Sequence, residues 1–263
     1  MRSIADMPLR RAGTVPNTGV CYGPGSAAHH AVKNGALRCV RGTDLLGETA
    51  VTAKIRRATP DDADFIAWTI LAAQRGHRPR GWFDIALDWP EQLSRAFVRR
   101  IALARSRSWW HTSHFLIAEA DGRPAAALCT LPAGGAGKDA RAAIIEVANA
   151  AELDTSEMRA IWRRGAYSAR CWTTGDDDNW LVEHVAALPF HRGRGLVQAL
   201  LDHALAAGKA AGYRRACIVF YIGNDAAERC YVKAGFSFAE EKRDPEFEAL
   251  TGAPGFRRFE RAI

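Results

Sequence analysis

The sequence predicts a mixed α/β protein of the α+β type, with a mostly antiparallel central sheet and helices flanking it. Three observations carry this. Phe115–Ala120 and Arg123–Leu131 are apolar runs joined by Asp121-Gly122, the two-residue signature of a hairpin with a primed turn. The run Trp180–Leu188 is closed by Pro189 and leads through a glycine-rich turn into a helical stripe, giving strand, turn, helix. Amphipathic helical patterns of ten or more residues alternate with the other strand-like runs, so neither an all-β nor an all-α layering fits.

Composition bounds the answer before any element is placed. With 263 residues, 48% hydrophobic and 25% charged, the chain has the make-up of a globular protein of one large or two small domains. The uncharged stretch Pro124–Gly137 is broken by Gly and Pro and too short to cross a bilayer, so no membrane partner is predicted. Arg10 and Arg11 have no apolar segment behind them, which argues against a secretory signal and for a cytoplasmic protein. Six cysteines at 21, 39, 129, 171, 217 and 230 show no C-x-x-C spacing and read as reduced, mostly packed thiols. The net charge of +7 is spread, with no dense basic block and no aromatic interleaving, so nucleic acid is not the expected partner; an anionic small molecule explains the surplus as well.

In chain order, residues 1–50 hold no sustained period and read as a poorly ordered extension, with 51–263 as the folded domain. His29-His30 lack a third ligand at metal spacing, so no metal is expected. Val51–Ala58 predicts the first strand. Thr59-Pro60-Asp61-Asp62 opens a helix, with Thr59 as N-cap and Pro60 at the first position, and Ala63, Ile66, Ala67, Ile70 and Leu71 continue it to a stop before Gly76. Residues 77–90 read as an aromatic-rich connection whose Trp82 and Trp89 fill the rim of a core or shape a pocket. A second helix is expected from Glu91 to about Arg105.

The hairpin follows. Gly134-Gly135-Ala136-Gly137-Lys138 mimics a nucleoside-triphosphate loop but has Pro132 and Asp139 where Gly and Ser/Thr are required. Residues 138–171 form a helical insertion between the third and fourth strands, with patterns over Ala142–Leu153 and Glu157–Tyr167, the latter capped by Thr155 or Ser156. Asp176-Asp177-Asp178 is a solvated turn or a lure for a cationic amine. After the fourth strand and its helix, Gly212 ends that helix and Tyr213–Tyr221 is a buried strand. Asn224 caps a short helix ending at Gly235, and strands over Phe236–Lys242 and Gly255–Arg261 finish the chain.

The glycine turn is the most informative stretch. In Arg192-Gly193-Arg194-Gly195-Leu196-Val197 the glycines let the backbone turn tightly, so the following N–H groups can converge on one point. A helix N-terminus behaves as roughly half a positive charge, worth about 0.3–1 kcal/mol to an exposed anion, and Arg192 and Arg194 add full charges. A phosphate or pyrophosphate is the natural guest. The dinucleotide pattern G-x-G-x-x-G would need Gly at 198, where Gln198 stands.

Together with Asn224, Ala227, Tyr231, Lys233, Gly235 and Phe236, this turn resembles the paired motifs of the GNAT superfamily of N-acetyltransferases, the acyl-coenzyme A dependent acyltransferases. The element order from Ala53 to Ile263 is similar to that fold. Two departures stand out: the pattern R-x-x-G-x-G/A meets Arg192, Gly195 and then the β-branched Val197, and the insertion from Lys138 to Cys171 is longer than the family's usual link.

The resemblance implies a GNAT-like fold and transfer of an acetyl group from acetyl-coenzyme A, as co-substrate, to a primary amine by direct attack on the thioester. It implies cofactor contacts from Val185, Ala187, Arg192, Gly193, Arg194, Gly195, Leu196, Val197 and Asn224, and catalytic roles for Glu183 as base and Tyr231 as the acid that protonates the departing thiolate. Glu183 and His184 are adjacent on the fourth strand and are expected to face opposite sides of the sheet, so that only one can serve. The acceptor, a small molecule or a peptide amine, is not named by the sequence, and a homodimer stays open. The rival from another class is a non-catalytic acyl-coenzyme A sensor using the same cradle.

Overall fold

Alternation of apolar residues makes the hairpin the first fixed point. Phe115–Ala120 (β2) and Arg123–Pro132 (β3) pair antiparallel, with Asp121 and Gly122 at φ of 53° and 72° in the turn, the primed geometry that Asp-Gly favours. The computed structural model describes residues 54–134, 137, 139–173 and 177–263. The extension assigned to 1–50 and the first three residues of the expected strand at Val51 lie outside the described residues.

Seven strands form one sheet in the order β1-β2-β3-β4-β5-β7-β6. The others are Lys54–Arg57 (β1), Trp180–Ala187 (β4), Arg215–Tyr221 (β5), Ser237–Arg243 (β6) and Gly255–Ala262 (β7). All neighbours run antiparallel except β4 and β5. The period of two sorts the strand residues onto two faces. Phe115, Ile117, Ala127, Cys129 and Leu181 join one buried cluster, and Ala118, Ala126, Leu128 and Val182 join the other.

The first face is covered by Ala63–Arg75 (α1), Trp82–Leu87 (α2), Glu91–Ile101 (α3), Ala140–Ala150 (α4) and Thr155–Gly165 (α5). The second is covered by Leu196–Ala210 (α6), whose Leu196, Leu200, Leu201, Ala204 and Leu205 are buried at the predicted helical spacing, and by Asp225–Lys233 (α7). Pro245–Thr251 (α8) packs Phe247 against Tyr167 and Tyr221.

Several elements differ from the sequence expectation. The 77–90 connection contains α2, whose six residues are too few to show a period; Asp84 accepts from the Gly81 N–H at 2.8 Å and holds Arg75 at 2.7 Å. The helix α8 begins on Asp244, which accepts from the Phe247 N–H at 2.8 Å, with Pro245 in the first turn. The cap of α5 is Asp154, not Thr155 or Ser156: its carboxylate accepts from the N–H groups of Ser156 and Glu157 while Glu157 returns a bond to the Asp154 N–H, a complete capping box. The helix α3 stops at Ile101, short of Arg105. The helical insertion lies between β3 and β4 as expected, with α4 against α3 and α5 against α2.

Candidate active site

The site begins where the sheet's hydrogen bonding stops. The parallel strands β4 and β5 pair only through Trp180–Val182 with Ala216–Ile218. Beyond that seam, residues 183–187 of β4 and 218–221 of β5 line a cavity of about 970 Å³. The predicted residues Glu183, Val185, Ala187, Arg192, Val197, Asn224 and Tyr231 all line it. Gly193, Arg194, Gly195 and Leu196 do not; the Leu196 side chain is buried in the core, so only its backbone N–H can serve a guest.

The strand β4 carries one residue too many at this point. Glu183 stands opposite Cys129 and Ala186 opposite Ala127, so three steps along β4 match two along β3. The extra residue is taken up at His184, whose φ of +51° makes it a left-handed bulge residue. This overturns the expectation that Glu183 and His184 face opposite sides. The bulge breaks the period of two, so the His184 ring stacks on Phe115 at 6.3 Å and meets Trp109 edge-on at 6.2 Å, on the same face as the Glu183–Cys129 pair.

Burial drives these two groups in opposite directions. Both are 8% exposed. Loss of solvent pushes the Glu183 carboxyl up to about 8, only partly offset by the adjacent His184 N–H, and pushes His184 down to about 3. Glu183 Oε1 and His184 Nε2 have no hydrogen-bond partner. At neutral pH the histidine is therefore uncharged and a feeble base, while the carboxyl sits where a base is most effective.

Gly193 and Gly195 adopt φ of 76° and 77°, conformations that a side chain would strain, and a Cβ on either would meet nothing within 4 Å. The backbone there faces open space. The first turn of α6 has no side-chain cap from Gly195, so the N–H groups of 196–198 are not used by an N-cap. Arg192 Nε donates to the Ala187 carbonyl at 3.3 Å, tying the turn to the end of β4. Glycine backbone, free helix-end donors and the guanidinium of Arg192 fit the phosphate portion of a coenzyme A.

Across the opening, Asn224 caps α7 by accepting from the Ala227 N–H at 3.4 Å. Tyr231 is 6% exposed and packs against Phe220. Burial raises its phenol well above the ordinary value, with smaller contributions from Cys230 and the Glu183 charge, so it keeps its proton throughout the working range of pH.

The far wall is aromatic, and most of it was not legible as a site. Five of the eight tryptophans, 82, 109, 110, 162 and 172, line the cavity. Of the two tryptophans expected in the 77–90 connection, Trp82 lines it and Trp89 packs on Phe97 instead. Of the acidic turn, Asp177 and Asp178 are exposed and do not line it, and Asp176 lies outside the described residues.

The model of the acetyltransferase (GNAT) family matches residues 80–236. Among solved structures, an N-acetyltransferase from Staphylococcus aureus Mu50 is 19% identical, covers 80% of this chain and 100% of its own, and superposes with a TM-score of 0.56. The apo form of an agmatine N-acetyltransferase mutant is 14% identical, with 80% and 99% covered and a TM-score of 0.50. No curated protein matches the sequence. At these identities the structural likenesses speak for the fold.

Proposed function

Because the chain belongs to the acetyltransferase (GNAT) family, we propose that it transfers an acetyl group from acetyl-coenzyme A to a primary amine by direct attack, with Glu183 and Tyr231 as its catalytic residues. The observation that carries the reading is the convergence, on one cavity at the open end of β4 and β5, of the glycine turn's Arg192, a buried carboxyl and a buried phenol.

Acetyl-coenzyme A supplies an acetyl group already activated as a thioester. The protein's residues manage protons. An alkyl ammonium with a pKa near 10.4 is neutral in only about one molecule in two thousand at pH 7, so the amine needs a base. Glu183, held up to about 8 by burial, takes that proton when ionised. Tyr231 holds a proton available to the departing thiolate, whose conjugate acid has a pKa near 8.5. Backbone of 193–197 with Arg192 and Arg194 would hold the phosphates, Asn224 would contact the cofactor beside its helix cap, and Val185 and Ala187 would present strand backbone to it.

Thiol release measured with purified protein, acetyl-coenzyme A and a panel of amines tests this. Amine-dependent release is expected. Binding of coenzyme A with no amine-dependent release would identify a sensor instead.

A further inference from the structure

We propose that the acceptor is a primary amine on an apolar, aromatic-sized body that carries no second cation, bound against the tryptophan wall; this rests on the acetyl-transfer reading above. The wall is continuous. Trp82 stacks on Trp110 at 6.1 Å, Trp110 meets Trp109 at 5.6 Å, Trp109 meets Trp172 at 5.3 Å, and Trp172 meets Phe256 at 5.8 Å. It abuts the reacting end directly, since Trp109 touches the His184 ring beside Glu183. An amine whose nitrogen reaches Glu183 therefore has its body against indole surface, which rewards an aromatic ring over a polar chain.

The charges lining the cavity favour the same class. Among the described residues its one carboxylate is Glu183, at the reacting end, and its full cations are Arg141 and Arg192. A diamine or a guanidine would bring a second cation to a wall that has no carboxylate for it among the described residues. Aromatic faces can hold a cation by themselves, but the lining already carries the Arg141 guanidinium, 5.3 Å over the Trp162 ring, and its charge repels a second cation. The indole nitrogens of Trp109 and Trp110 are buried without partners, and an indole N–H only donates, so it offers nothing to an ammonium.

The experiment is thiol release by the full-length protein at saturating acetyl-coenzyme A with 2-phenylethylamine, putrescine and spermidine, paired with quenching of tryptophan fluorescence by 2-phenylethylamine in the presence of coenzyme A. The expected result is a kcat/KM for 2-phenylethylamine at least about tenfold above either polyamine, on the scale that even one apolar group earns in such a pocket, together with saturable quenching. Trp172→Ala should raise the KM for 2-phenylethylamine and leave that for acetyl-coenzyme A, and Trp172→Phe should restore it. Efficient transfer to putrescine or spermidine with none to 2-phenylethylamine would overturn the substrate class and leave acetyl transfer standing. Transfer to no amine and no quenching would remove both, whereas quenching without transfer would keep the pocket's preference and remove the reaction.

Discussion

Trp82 and Gly165 touch so closely that a single methyl on Gly165 would lie 2.6 Å from the indole Cζ2, while the indole N–H donates to the Gly165 carbonyl at 2.9 Å. The contact joins the end of α5 to the start of α2, so the insertion is fastened to the domain through a wall of the cavity. A tethered indole cannot swing aside as a flexible chain could. Gly165→Ala gains up to about 1 kcal/mol of helix propensity but overpacks this contact, which typically costs about 1–3 kcal/mol. Net destabilisation is expected, read as a lower Tm and an altered KM for amines; a raised Tm would show that the indole is not held.

The carboxyl of Glu183 links stability to pH. Its pKa is raised in the folded state to about 8, against 4.5 for a free carboxyl. Between those values the unfolded chain has lost the proton and the folded chain keeps it, so stability present below about 4.5 declines as pH rises and levels off above about 8. Glu183→Gln removes the effect. The variant should match the native protein's Tm near pH 5 and exceed it near pH 9 in paired thermal melts.

The same substitution should act on the reaction. Loss of a general base typically costs a factor of about 10²–10⁴, and the limb of the kcat/KM profile governed by Glu183 should vanish. A pH profile of Glu183→Gln that keeps that limb would assign it to another group.

Tyr231→Phe removes one hydroxyl and keeps the ring against Phe220. Stability should change little, while the chemical step slows by about 10²–10⁴ and kcat falls more than KM rises. Single-turnover acetyl transfer and melting on the same variant decide it, and an unaltered chemical rate would remove Tyr231 from the mechanism.

At Gly195 the left-handed backbone and the open space before it are both lost on substitution. Gly195→Glu adds strain and a negative charge beside the phosphate cradle. Isothermal titration with coenzyme A should show markedly weaker binding, and unchanged affinity would move the phosphates elsewhere.

The parts of the fold that were legible are those set by local chemistry over a sufficient length. Asp121-Gly122 dictates its turn, and α6 shows two full apolar stripes. The helices α2 and α8 span fewer than two turns or barely that, so their signals reduce to caps at Gly81 and Asp244 that also suit loops. Glu183, Arg192 and Tyr231 were reachable because motif spacing ties them to element ends. The bulge at His184 was not, since no glycine or proline marks it and its cause lies in the register with β3. The adjacent Trp109 and Trp110 are brought to one cavity with Trp162 and Trp172 only by tertiary packing; the spacing between these three positions along the chain carries no trace of it.

The three-residue seam between β4 and β5 leaves the sheet with an interior edge. From Glu183 onward the side of β4 turned toward β5 has no strand beside it, and strand backbone so exposed is competent to pair with an extended chain that carries amides of its own. A guest of that kind would complete the sheet as an inserted strand and bridge its two halves, β1–β4 and β5–β7. Occupancy then becomes a source of cohesion: the protein should resist heat and proteases more strongly as the guest's concentration climbs past its dissociation constant, and amides flanking the seam should be the first to gain protection from hydrogen exchange.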